Sequence, residues 1–316
     1  MENRVTKILG SRYPIIQGAM RLISMGELAG AVSEGGGFGI IGASGLDGNT
    51  LRAEIRKARA LTDRPFGINI PVYRPNALEA LAIAIEEGIK TITTSAGDPG
   101  KLIQKIKQGG LKVLHVVATV EMARKAEEKG VDSVIASGVD GGGHVGRDGV
   151  CTMALIPQVV DAVRIPVLAA GGIGDARGLL AAFALGAEGV QMGTRFLATE
   201  ECPIPLSYKK AILDARDDST MVVAQRALPT RVLKNKAAYA VRALDEKGGG
   251  KEEINELIRQ LTREKSDAEN NLLSAGQICG LIRSVVSAEA LIRNLMIEAG
   301  RQAEALGKGF SGFQLP

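Results

Sequence analysis

Aromatic side chains make up only 3% of the chain, and tryptophan is absent altogether. Proteins that stack bases on aromatic platforms beside basic grooves need the opposite composition, which excludes nucleic-acid binding as the reading. Charge of one sign is missing too: 39 Lys and Arg stand against 35 Asp and Glu, a formal excess of +4. Cysteine is scarce. Cys151, Cys202 and Cys279 lie far apart with no C-x-x-C spacing, which removes a disulfide framework and a thiolate zinc site and leaves three small hydrophobes expected to be buried. Two histidines cannot build a His-rich metal centre, and no metal is expected. The opening MENRVTKILG lacks the apolar core of a secretion signal, and no uncharged apolar stretch reaches the roughly 18 residues of a membrane span. The expectation is a cytoplasmic protein without a membrane segment.

Glycine is what the chain has in quantity, 40 of 316 residues. The glycines punctuate a repeat. Eight short β-rich runs, at 14–18, 38–42, 66–70, 91–95, 113–117, 133–137, 166–170 and 190–194, recur roughly every 20 to 34 residues. Amphipathic stretches separate them at 51–60, 77–87, 101–108, 120–129, 156–162 and 176–185, several followed by a glycine (Gly88, Gly109, Gly130, Gly186) where a left-handed helix cap fits. Eight strand–helix units with near-continuously apolar strands predict a (β/α)₈ TIM barrel over residues 1–198. The rival, an open doubly wound sheet, is disfavoured because no G-x-G-x-x-G follows the first strand. After 198 the character changes. Pro203, Pro205 and Gly248–Gly250 interrupt a charged stretch, and Ile254, Leu257, Ile258 and Leu261 mark an amphipathic helix over 251–264. This predicts an inserted small helical lobe at 199–271, with C-terminal helices at 272–316 returning to the barrel.

Barrel enzymes place their chemistry at the C-terminal ends of the strands. Two Gly-bearing turns, Gly171-Gly172-Ile173-Gly174 after the seventh run and Gly193-Thr194 in the eighth, let backbone amides approach phosphate oxygens without interference from Cβ. Tight-turn geometry alone is the plainer explanation of either turn singly. The sixth run ends at Ser137 and leads into Gly141-Gly142-Gly143-His144, which presents one imidazole over the barrel mouth, where proton exchange near neutral pH is accessible. His144 is therefore the candidate catalytic residue. His115, inside the fifth run, reads as an interior or ligand-lining group. Asn69, polar between Ile68 and Ile70, needs partners: loop carbonyls or the edge of a heterocycle.

Taken in order, Ile15-Ile16-Gln17-Gly18-Ala19-Met20, Gly35 to Gly42, Pro65 to Asn69, Gly142 to Gly146, Ala169 to Ile173 and Gln191 to Phe196 resemble the nitronate monooxygenase superfamily of FMN-containing barrels. That superfamily includes the flavin-dependent enoyl-[acyl-carrier-protein] reductases. Thr93 to Pro99, Thr152-Met153, Leu233 to Asn235 and Ala275-Gly276-Gln277 are more similar to the reductase branch. The resemblance implies one FMN, with Gly172, Gly193 and Thr194 on its phosphate and Met20, Asn69, Gln191, Gly142 and Gly143 along the ring and ribityl chain. Ser137 stands where the reductases usually carry a Glu-containing sequence and the monooxygenases often a Gln. His144 matches the catalytic histidine.

By this resemblance the protein is an enoyl reductase. It passes hydride from NADH or NADPH to an enoyl thioester on acyl-carrier protein or coenzyme A, and a homodimer is an allowed assembly. The alternatives within the superfamily are a nitronate monooxygenase, with His144 as base, and an NAD(P)H:quinone reductase. From other classes come a lyase or isomerase of a phosphorylated metabolite and a non-catalytic binding barrel. The first is weakened by the lack of Lys or paired acids at the strand ends.

Overall fold

The computed structural model describes residues 2–262 and 267–311. Eight parallel strands form the barrel: β1 Ile15–Gln17, β2 Ile40–Gly42, β3 Gly67–Pro71, β4 Thr91–Ser95, β5 Lys112–Val117, β6 Ser133–Ser137, β8 Val167–Ala170 and β9 Gly189–Met192. The short β7, Gly143–His144, leaves this sheet for another. Helices α2 Gly26–Glu34, α3 Gly48–Leu61, α4 Ala77–Glu86, α5 Gly100–Gln108, α6 Val120–Glu128, α7 Thr152–Ala162, α8 Ala176–Ala184 and the short α9 Thr194–Leu197 alternate with the strands. The expected (β/α)₈ barrel is what the chain forms. Left-handed glycines follow the helices at Gly88, Gly130 and Gly186 as expected, but after α5 the left-handed residue is Gly110, while Gly109 keeps a helical φ of −74°.

Each strand alternates between two apolar layers, as the two-residue period of a strand requires. Ile15, Ile41, Ile68, Val113, Val134, Ala169 and Val190 belong to the large core under the helices. Ile16, Ile40, Leu114, Ile135 and Leu168 fill the barrel interior, together with Val5 and Leu9 of α1, Arg4–Leu9, which plugs the N-terminal end. The ladder runs β1-β9-β8-β6-β5-β4-β3-β2. Between β1 and β2 the seam is narrow. There an isolated Ile16–Phe38 bridge is supplemented by the Gln17 side chain, whose Oε1 accepts from the Ile40 amide at 3.1 Å.

The lobe has its own small core, from Met221 to Leu272, whereas Cys202, Ile204, Tyr208 and Ile212 pack into the large one, the last two from α10, Leu206–Leu213. Besides α11, Lys236–Glu246, and α12, Lys251–Leu261, the lobe carries a hairpin of β10, Thr220–Val223, and β11, Thr230–Leu233. Positions 263 and 264 of the expected helix lie outside the described residues. β11 also pairs antiparallel with β7, which joins lobe to barrel. The C-terminal α13, Ala288–Phe310, buries Leu291, Ile292 and Leu295 against the barrel core. Cys202 and Cys279 are buried, but Cys151 is exposed, contrary to the expectation for it. Among the described residues no helix is long and apolar enough to cross a membrane.

Candidate active site

The inward positions one step beyond the apolar plug form the floor of the barrel mouth, and all but Val116 are polar or small. They are Gly42, Asn69, Ser95, Val116, Ser137, Ala170 and Gln191. Asn69 is buried, while Ser95, Ser137 and Gln191 are half-buried. Asn69 Nδ2 donates to Thr93 Oγ1 at 2.9 Å, and Asn69 Oδ1 accepts from Ser95 Oγ at 3.4 Å. The side chain of Gln191 crosses the end of β1 so closely that a Cβ on Gly18 would lie 3.1 Å from it. Met20 follows in the same turn, and among the described residues its sulfur, at 3.9 Å, is the nearest atom to the space a Gly193 side chain would enter.

The two turns after β8 and β9 supply the amides. Gly171 and Gly172 adopt φ of +93° and +66°, a region that L side chains avoid. Among the described residues nothing accepts from the N–H groups of Gly172, Ile173 or Gly174. The first turn of α8 is already satisfied by Asp175, which accepts from the amides of Arg177 and Gly178. An anion at this rim would be met by the loop amides of 172–174 and the Gly193–Thr194 turn. Such a glycine-rich edge, with unpaired donors at 172–174, fits the phosphate of a mononucleotide. Thr194 Oγ1 accepts from the Gly276 amide at 2.9 Å, which ties this corner to the segment after the lobe.

The loop beyond β6 is held by backbone packing. A Cβ on Gly138 would sit 2.2 Å from Thr152 Oγ1, and one on Gly142 would sit 2.5 Å from the Gly276 nitrogen. Asp140 receives the Thr152 amide on Oδ2 at 2.6 Å, which caps α7, and its carbonyl accepts from Gln277 N–H at 3.0 Å. His144 then hangs on β7, with Nδ1 3.0 Å from Thr230 Oγ1 of the lobe. Its imidazole is accessible to solvent, yet burial among loop and lobe, followed by the charge of Arg74, lowers its pKa below the usual histidine value. Neutral imidazole is therefore the resting form near pH 7.

His115 is a different case. Its strand neighbours Leu114 and Val116 point inward, so its own ring faces the helix layer, where Nδ1 lies 2.8 Å from Thr94 Oγ1. It is 2% exposed and does not line the mouth.

These features coincide with a known family. The nitronate monooxygenase family profile matches residues 2–298. The chain belongs to the nitronate monooxygenase family. Within this family it is 33% identical to a probable nitronate monooxygenase of Staphylococcus saprophyticus, over 95% of this chain and 98% of that one. It is 37% identical to (3aS,4S,5R,7aS)-5-hydroxy-7a-methyl-1-oxo-octahydro-1H-indene-4-carboxyl-CoA dehydrogenase of Mycobacterium tuberculosis, over 73% of this chain and 65% of that relative. Among solved structures it superposes on FabK from Thermotoga maritima with a TM-score of 0.93 at 38% identity, covering 98% of this chain and 99% of that one. The protein is an oxidoreductase of a family of flavoenzymes.

The structure brings the expected site residues to one face. Asn69, Ser137 and Gln191 lie on its floor; Met20 lies in the turn after β1 beside Gly193; Gly172, Gly193 and Thr194 lie on one rim, and Gly142, Gly143 and His144 on another. Sequence reasoning missed three participants. Thr230 and Gly276 come from segments 86 and 82 residues away from the groups they bond, so nothing local reveals either contact, although Gly276 falls in the Ala275-Gly276-Gln277 stretch that carries the resemblance. Arg74, in the loop after β3, carries the buried side-chain atom, Nε, that lacks a hydrogen-bond partner among the described residues. Its guanidinium carbon lies 4.9 Å from the exposed ring of Tyr73. A local signal did exist, since Tyr73 and Arg74 sit between two prolines at a strand's C-terminal end.

Proposed function

We propose that this protein is an FMN-dependent enoyl-thioester reductase that takes hydride from NADH or NADPH and saturates an acyl chain carried on acyl-carrier protein or coenzyme A. The observation that carries this reading is the likeness to FabK, an enoyl-[acyl-carrier-protein] reductase, over lobe as well as barrel. The relative acting on a carboxyl-CoA adds support for a thioester substrate. Bound FMN supplies two-electron hydride chemistry. The amides of 172–174, with Gly193 and Thr194, hold its phosphate. Asn69, Ser137 and Gln191 offer hydrogen bonds to the ring edge, Met20 and Gly143 leave room for ring and ribityl chain, and Gly142 serves the site by letting the loop pack against Gly276. Arg74, with an unpaired donor and close enough to His144 to act on its charge, would stabilise the negative charge that develops on the thioester oxygen. His144 delivers the proton that the α-carbon takes up, and the lobe covers the mouth.

Nitronate oxidation is the second reading, favoured by the family profile and by a neutral His144 able to act as base. The test has two parts. First, purified protein is scanned for flavin absorbance. Second, anaerobic NADH or NADPH oxidation with a crotonyl thioester is compared with aerobic turnover of a nitronate in the absence of nicotinamide. Thioester-dependent oxidation is expected. Fast nitronate turnover with no thioester reduction overturns the assignment in favour of the second reading. Protein that stays colourless with added FMN overturns both.

A further inference from the structure

We infer that Thr230 of the lobe is a positioning residue that fixes the tautomer of His144, placing the ring proton on Nδ1 and leaving Nε2 as the only atom through which the imidazole exchanges protons with substrate. The role in turnover rests on the reductase reading above; the tautomer does not.

A threonine hydroxyl has one hydrogen and two contacts here. Thr230 Oγ1 lies 2.8 Å from the Leu228 carbonyl oxygen and 3.0 Å from His144 Nδ1. A carbonyl can only accept. If the hydroxyl gave its hydrogen to Nδ1, two bare oxygens would face each other at 2.8 Å. If it gives its hydrogen to Leu228, both contacts are hydrogen bonds, provided Nδ1 carries a proton. The second arrangement satisfies every group, so the neutral ring is Nδ1–H with a lone pair on Nε2.

The arrangement is held from several sides. Register pairs Thr230 with His144, and the next residue's amide, Val145 N–H, donates to the Pro229 carbonyl at 3.0 Å. The charged groups nearby are otherwise engaged. Arg147 donates to the carbonyls of Gln225 and Ala227, Arg231 Nε donates to the Val139 carbonyl at 2.7 Å, and Asp140 is taken by the Thr152 amide. Arg74 remains as the charge acting on the imidazole, and it favours the neutral form. In turnover Nε2 takes a proton from solvent and gives it to the α-carbon as hydride arrives at the β-carbon. The saturated thioester leaves, and the same neutral tautomer is restored.

The chain has only two histidines, so long-range ¹H–¹⁵N spectra of the flavin-loaded protein, labelled at histidine, resolve both rings, and His144→Ala assigns the signals. Above the pKa of His144, the wild type and Thr230→Ser are expected to show a protonated Nδ1 and a bare Nε2. In Thr230→Val the proton moves to Nε2. With crotonyl thioester, Thr230→Val lowers kcat on the order of 100-fold, the lower end of the roughly 10²- to 10⁴-fold range of general acid–base catalysis. KM stays close to the wild-type value and Thr230→Ser restores the rate. A wild-type spectrum with the proton on Nε2 refutes the inference even if Thr230→Val fails to fold. The expected spectrum in a protein with no thioester activity leaves the tautomer standing and removes the reductase reading instead. A normal kcat in Thr230→Val that has changed tautomer removes the role in turnover.

Discussion

Acidification offers a direct probe of His115, the buried histidine on the outer face of β5. Burial pushes its pKa down from 6.5 to about 4, with Gly97, Asp98 and Thr94 only partly offsetting this. The unfolded chain takes up a proton near pH 6.5, whereas the folded chain resists protonation until about pH 4. Between those values the unfolded state binds more protons, so stability is full above pH 6.5 and falls as pH drops through the window. At 1.36 kcal/mol per unit, going from about pH 7.5 to about pH 4.5 costs the fold about 2 to 3 kcal/mol from this ring alone. Urea denaturation of the wild type and of His115→Gln, each followed across that range, isolates the effect, because carboxylates and His144 contribute to both proteins. The wild type should lose about 2 to 3 kcal/mol more than the variant on acidification. Parallel curves would mean that the folded protein protonates His115 as easily as water does, and the account of its burial would be wrong.

Other substitutions separate packing from chemistry. Gly193→Ala should fold with near-normal stability, since φ is −110° and the nearest atom to the new methyl is 3.9 Å away, but its flavin affinity, measured by fluorescence titration, should fall on the order of tenfold or more as the methyl enters the phosphate approach. Gly142→Ala should instead lower the melting temperature, because the methyl meets immovable backbone at 2.5 Å, and overpacking of this kind costs about 1–3 kcal/mol or more. Arg74→Gln removes the cation that disfavours the imidazolium, so the pKa of His144 read from the ¹⁵N titration should rise. The pH above which thioester reduction declines should move up with it, and an unchanged pKa would show that Arg74 does not act on the ring.

Local physics made much of the barrel legible in the sequence. Buried strands are short apolar runs whatever their partners, and β4 and β6 begin and end where composition placed them. Helix α2 was not legible because Gly26 and Gly30 weaken any helical pattern. Their reason is tertiary: a Cβ on Gly26 would lie 2.2 Å from the Glu54 carbonyl of α3, so the two helices touch backbone to backbone. The hairpin of β10 and β11 was hidden in a stretch whose charge and helical spacing dominated the reading. At the site, glycines and the histidine stand out by residue type alone, Arg74 is marked only by its place between two prolines after a strand, and Thr230 acquires meaning only from what the fold sets beside it. His115 shows the converse, a residue of catalytic type whose strand parity turns it away from the chemistry.

The pairing of β7 with β11 has a consequence for chimeras built from relatives. The loop that bears the imidazole and the hairpin that steadies it form one exchangeable unit, although 86 residues separate their paired side chains. Grafting the glycine-rich loop alone would deliver the histidine to a foreign neighbour. During synthesis, likewise, a nascent chain that has completed all eight barrel staves still waits for the hairpin before its proton-transfer group is set.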